Sequence, residues 1–192
     1  MNWTLFSWKS SLQKLNLQAD VCFLGDSITR GGDFQNCFSG KTVCNLGITG
    51  DTLSGMLKRT DMIALVSPKD IFVMAGINDL MGGRAVKVCV ENYCRLLDTI
   101  RSQNPKATLY VQSVLPINPE KCQKRFDTKK IVQFNMALAA LCKEKGIAYI
   151  DVYALYEENG RLPSEQTKDG LHLYPHAYTP WMNKIRSYID KG

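Results

Sequence analysis

Apolar and polar residues alternate along this 192-residue chain in two rhythms. Short unbroken apolar runs occupy 20–25, 42–45, 71–75, 107–115 and 147–152. Hydrophobicity that is continuous rather than alternating predicts strands buried on both faces, as in a parallel sheet. Between the runs lie helical stripes. Cys89, Tyr93, Leu96, Leu97 and Ile100 form one; Ile131, Phe134, Leu138, Leu141 and Cys142 form another, with Gly146 placed to close it in a left-handed cap. Tyr178, Trp181, Met182, Ile185 and Ile189 form a last stripe, with Pro175 suited to its first turn. Ahead of the first run, Leu5, Trp8, Leu12 and Leu15 predict an amphipathic helix over residues 3–16. A helix followed by strands and helices in alternation is a doubly wound α/β fold. No linker, repeat or low-complexity tract interrupts it, so residues 1–192 read as one domain.

Such a fold places ligands beyond the carboxyl ends of its strands. The residues there are Gly25-Asp26-Ser27-Ile28-Thr29, Asn45-Leu46-Gly47-Ile48-Thr49-Gly50-Asp51-Thr52 and Gly76-Ile77-Asn78-Asp79. Asp169-Gly170-Leu171-His172 precedes the last helix.

Acyl transfer requires a nucleophile, a base, a group that orients the base, and donors for the developing oxyanion. Ser27 at a strand end can project into the cleft, and a following helical turn directs its N–H toward negative charge. Gly47, without a side chain, lets its N–H approach a substrate closely, and Asn78 offers an amide donor. The chain holds two histidines, both in one segment. His172 is the candidate base, and Asp169, three residues earlier, can hold its far ring nitrogen.

These four blocks resemble those of the SGNH (GDSL-type) serine ester hydrolase family over about residues 20–190, most closely its small acetylhydrolase-like branch. Ser27, Gly47, Asn78 and His172 stand at the four positions that give the family its name, and Asp169 at the third triad position. Ile28 replaces the leucine of the older GDSL motif. The resemblance implies a three-layer α/β/α, flavodoxin-like five-stranded parallel sheet of order 2-1-3-4-5. It also implies ester hydrolysis with no metal or cofactor. Short acyl esters of sugars or other small alcohols are the expected substrates, because no long lid follows Asn78. A lysophospholipase or thioesterase is the alternative within the family. A non-catalytic phosphate- or flavin-binding module, with the 25–32 segment as cradle, is the alternative outside it.

Other features have plainer readings. Asp79 reads as a brace for its loop, and His176 as a rim or structural group, since Leu173 stands where H-E-x-x-H needs glutamate. Ser39-Gly40-Lys41-Thr42 has Gln35 where a P-loop needs its first glycine, and Thr29 breaks the G-x-S-x-G elbow at Ser27.

Composition changes the picture in two respects. The seven cysteines are scattered without a C-x-x-C pair, which argues against a zinc cluster and for a reducing cytoplasm. The N-terminal residues lack the pattern of a signal peptide, and no apolar run nears the ~20 residues of a membrane span. The net charge of +6 concentrates at Lys121, Lys124, Arg125, Lys129 and Lys130, without the interleaved aromatics of a nucleic-acid binder. The cluster reads as a solvated loop and helix start, with attraction for an acidic substrate as the alternative.

Overall fold

The computed structural model describes residues 18–123 and 126–189. The helix expected over 3–16, together with Lys124 and Arg125, lies outside them. Five strands form: β1 (Val21–Gly25), β2 (Val43–Gly47), β3 (Asp70–Met74), β4 (Thr108–Gln112) and β5 (Ala148–Ile150). They make one sheet of order β2-β1-β3-β4-β5 with every pairing parallel. This is the expected α/β architecture, with the strand order reversing between β1 and β3.

Strand limits shift from the apolar runs in instructive ways. The second run continues through Leu46 and Gly47, because pairing with β1 extends to Gly25↔Gly47. The fourth stops at Gln112, where Ser113 Oγ accepts the N–H groups of Val152 and Tyr153 and the chain leaves the ladder. Side-chain capture of backbone donors ends β4 and β5 earlier than hydrophobicity alone does.

Eight helices connect and flank the strands of the described residues. They are α1 (Ser27–Arg30), α2 (Phe34–Cys37), α3 (Leu53–Leu57), α4 (Asp61–Ala64), α5 (Ile77–Met81), α6 (Val86–Gln103), α7 (Lys129–Lys145) and α8 (Thr179–Ile189). The α6 stripe buries Cys89, Tyr93, Leu96, Leu97 and Ile100, as its 3.6-residue period requires. On α7 the buried set gains Asn135, while Leu141 stays partly exposed. Asn135 is drawn in because its amide exchanges two hydrogen bonds with the backbone of Val114 just beyond β4. Gly146 ends α7 at φ 62°, the left-handed cap expected. Pro175 opens a 3-10 turn that runs directly into α8.

Phe23, Phe72 and Tyr110 stand in register on adjacent strands and stack in a row. That row meets Phe34 of α2, which packs edge-on to Trp181 of α8. On α6, Tyr93 reaches Val73 O through its hydroxyl and packs near Phe134 of α7. Helices on both faces leave one edge of the sheet open for function: the carboxyl end, where β1, β2 and β3 release their loops.

Candidate active site

Local sequence fixes the nucleophile's position. β1 ends at Gly25, and Asp26 caps α1 by accepting the Ile28 N–H at 2.9 Å. Ser27 therefore begins a helical turn at the strand end. Its own N–H has no acceptor among the described residues. Tyr178 bonds Ile28 O at 2.7 Å and holds α1 from the opposite side.

The loop before α8 brings the base to it. Ser27 Oγ lies 2.8 Å from His172 Nε2, and His172 Nδ1 lies 2.7 Å from Asp169 Oδ2. The other carboxylate oxygen, Oδ1, accepts the backbone N–H groups of His172 and Leu171. Burial pushes the Asp169 carboxyl up, but those N–H groups and the His172 ring outweigh it and hold it below its ordinary value. Asp169 is thus ionised at neutral pH. That fixes the ring tautomer with its proton on Nδ1 and leaves Nε2 free to accept from the serine.

Two further contacts set the angle of this loop. Thr167 Oγ1 donates to His172 O and accepts from Gly170 N. Gly170 sits at φ 85°, and a Cβ there would fall 2.5 Å from Asn118 O, so only glycine fits the bend. Asn118 in turn donates to Leu162 O and Ser164 Oγ. Lys121, the first residue of the basic stretch, donates to the Ser164 and Thr167 carbonyls. Lys121 thus ties the loop while remaining exposed.

The oxyanion side differs from expectation at one residue. Asn78 lies at the start of α5, and its Nδ2 donates to Asp51 O at 2.8 Å. One amide hydrogen is anchored there and the second stays available, so the donor is oriented in advance. Gly47, however, is buried, and its N–H donates to Asn45 Oδ1 at 2.9 Å. Its small size serves packing: a Cβ would stand 2.3 Å from Arg30 N. The expected role of Gly47 as a donor to substrate is therefore corrected. Three residues on, Gly50 is exposed, and its N–H has no acceptor among the described residues. It adjoins Asp51, whose carbonyl accepts from Asn78, so this loop leaves the Gly50 N–H open beside that amide. Both glycines were visible in the sequence, but the Asn45 side chain that occupies one of them was not assignable.

Arg59 was also not foreseen. Its guanidinium is 2% exposed. It pairs with Asp51 Oδ2 at 2.7 Å and donates to Leu46 O and Gly25 O. It thereby ties the ends of β1 and β2 to the loop carrying Gly50. Asp79 braces that loop from the other side, accepting Leu53 N at 2.9 Å and meeting Arg84 at 3.0 Å. Burial raises the Asp26 carboxyl to about 6, opposed by its bond from Ile28 N–H and by His172. His176 stacks on Tyr174.

A parallel sheet that carries a Ser–His–Asp relay beyond its carboxyl edge, beside unpartnered N–H groups, has the architecture of a serine hydrolase. Comparison with known proteins agrees. The model of the GDSL-like Lipase/Acylhydrolase family matches residues 23–179. The N-acylneuraminate cytidylyltransferase of Streptococcus agalactiae is 25% identical over 183 residues, covering 92% of this chain and 40% of that protein. The chain thus spans about two-fifths of the length of the curated relatives it matches. A GDSL-like lipase from Bacteroides thetaiotaomicron superposes with a TM-score of 0.81 at 23% identity, covering 97% of each chain. The lipase/acylhydrolase from Enterococcus faecalis gives 0.76 at 20% identity, covering 89% of this chain and 95% of that one. These two likenesses bear on the fold. The chain belongs to the GDSL-like lipase/acylhydrolase family. Among the described residues, no helix is long and apolar enough to cross a membrane.

Proposed function

We propose that residues 18–189 act as one hydrolase domain in which Ser27 attacks the carbonyl of a short-chain carboxylic ester of a sugar or other small alcohol. The observation that carries this reading is the continuous relay from Ser27 Oγ through His172 to Asp169, at 2.8 and 2.7 Å. His172 Nε2 takes the Ser27 proton as the Oγ–carbonyl bond forms, and Asp169 stabilises the imidazolium. The tetrahedral oxyanion is held by the N–H groups of Ser27 and Gly50 and by the Asn78 amide. His172 then gives its proton to the leaving alcohol, and water, deprotonated by His172, releases the acyl group from Ser27. The route uses protein side chains, backbone N–H groups and water.

A small acyl group is supported by how open the relay is. The His172 and Asp169 side chains are 32% and 44% exposed, and only four residues separate α5 from α6, leaving no room for a lid over Asn78. The odd number of cysteines, each a free thiol, supports a reducing compartment such as the cytoplasm. The sugar part of the reading draws on the S. agalactiae relative, whose name carries an acylated sugar acid.

Hydrolysis of p-nitrophenyl acetate, butyrate and octanoate tests the acyl preference. The expected order of kcat/KM falls from acetate to octanoate; a steady rise with chain length would replace this reading with a lysophospholipase or thioesterase. In the same assay, Asn78→Ala is expected to lower kcat on the acetate about 10²–10³-fold with KM little changed, the usual effect of removing one oxyanion donor. A loss under about fivefold would remove Asn78 from the hole.

A further inference from the structure

The ester chemistry leaves one charge at the site unused. Arg30 closes α1 three residues after Ser27, so the two side chains occupy neighbouring positions on one helical face. Its Nη1 donates to Thr49 Oγ1 at 3.1 Å, which draws the guanidinium over the loop whose next residue is Gly50. Arg30, Thr49 and Gly50 are all exposed. Among the described residues no carboxylate pairs with Arg30. Acidic groups of the adjoining segments are engaged elsewhere: Asp51 with Arg59, Asp33 with Asn36, and Asp26 with the Ile28 N–H. Two guanidinium nitrogens, Nε and Nη2, therefore present open donors at the mouth of the site.

A free guanidinium fork fits a carboxylate or a phosphate through paired, charge-assisted hydrogen bonds. A short acyl group has no such charge, which leaves the alcohol portion of the ester to supply it. We propose that Arg30 is a specificity-determining residue that binds an oxyanion, carboxylate or phosphate, on the alcohol moiety, so that the preferred substrate is an acylated acidic sugar or a similar small anionic alcohol. The proposal rests on the esterase reading above and adds the charge of the substrate. It also places at Arg30 the attraction for an acidic substrate that was the alternative reading of Lys121 to Lys130, of which Lys121 donates to two backbone carbonyls.

The test is acetate release from O-acetylated glucose, glucuronic acid and glucose 6-phosphate at low and high salt, by the natural chain and by Arg30→Gln and Arg30→Lys. The natural chain is expected to favour one or both anionic sugars over glucose by roughly tenfold in kcat/KM at low salt, the worth of one charge-assisted hydrogen bond at an open rim. The gain should sit in KM and shrink with salt. Arg30→Gln should bring the ratio of anionic to neutral substrates to within about threefold, and Arg30→Lys should restore part of it. Preference for the uronate alone assigns a carboxylate, and preference for the phosphate alone assigns a phosphate. Equal rates on all three sugars, or a preference untouched by Arg30→Gln in a variant with unchanged Tm, overturns the role of Arg30 and leaves the esterase standing. Failure to hydrolyse both these sugars and p-nitrophenyl acetate overturns the two together.

Discussion

Replacing Ser27 by alanine is expected to lower kcat on p-nitrophenyl acetate by at least about 10³-fold while KM stays within a few-fold. The hydroxyl forms the bond to the acyl carbon, so its loss removes the covalent route. What remains is slow attack by water, assisted by the oxyanion donors. Stability should be nearly untouched. The partner left behind, His172 Nε2, belongs to a side chain 32% exposed, which water can solvate. Titration of p-nitrophenolate release, with near-ultraviolet circular dichroism as a check on folding, decides the matter. A folded Ser27→Ala protein that keeps more than about a tenth of the activity would sink the nucleophile assignment.

The second large effect concerns a residue remote from the reacting atoms. Arg59→Met is expected to destabilise the fold by about 3–5 kcal/mol, the cost of leaving a buried charge without its partner. Methionine matches much of the arginine stem but supplies no donor. The Asp51 carboxylate, 11% exposed, and the carbonyls of Gly25 and Leu46 would lose their hydrogen bonds together. Urea denaturation reads the loss directly. At a slope of about 2–3 kcal/mol per molar, the midpoint should fall by roughly 1–2.5 M with the slope unchanged. A loss under about 1 kcal/mol would mean that the arginine is a replaceable filler. Because Arg59 and Asn78 hold the same residue, Asp51, from opposite directions, the variant should also show a lower kcat in the fraction that folds. The two readouts separate a purely structural arginine, which lowers the folded fraction alone, from one that also aligns the loop of Gly50.

The cleft divides its labour in a way that explains both effects. In the proposed reaction the turn after β1 and the loop before α8 supply the groups that move protons, and short-range bonds set the local geometry of each: Asp26 to Ile28, Asp169 to His172 and Leu171. The side that carries the proposed oxyanion donors is assembled from longer-range ties, Arg59 to Gly25 and Leu46, Asn78 to Asp51, and Asp79 to Leu53. Truncating a proton-moving group stops the chemistry in a folded protein. Cutting one of the long-range ties weakens the fold and the site together.

Much of this was legible in the chain. Burial recurs with the period of the element that carries it, so the unbroken runs gave strands and the i, i+3, i+4 stripe of Cys89 to Ile100 gave α6 residue for residue. Ser27, Asn78, Asp169 and His172 could be singled out because each follows a strand or precedes the last helix, where an open parallel sheet gathers its ligands. Asp169 and His172 are three residues apart, close enough for sequence spacing to imply their bond. Other features depended on groups distant along the chain. Whether Gly47 or Gly50 keeps a free N–H depends on the Asn45 amide bending back to Gly47. A charged residue such as Arg59, which any hydropathy pattern assigns to the surface, is buried because two strand ends and Asp51 offer three acceptors in one place. Asn135 enters the core for the same reason, and Arg30 reaches the loop of Gly50 through its bond to Thr49. Periodicity and local motifs thus determined the elements, their order and the residues of the proposed relay, since these follow from solvation and short-range contacts. Only the tertiary structure decided which donors remain free, because that depends on which polar groups the folded chain brings together and leaves unpaired.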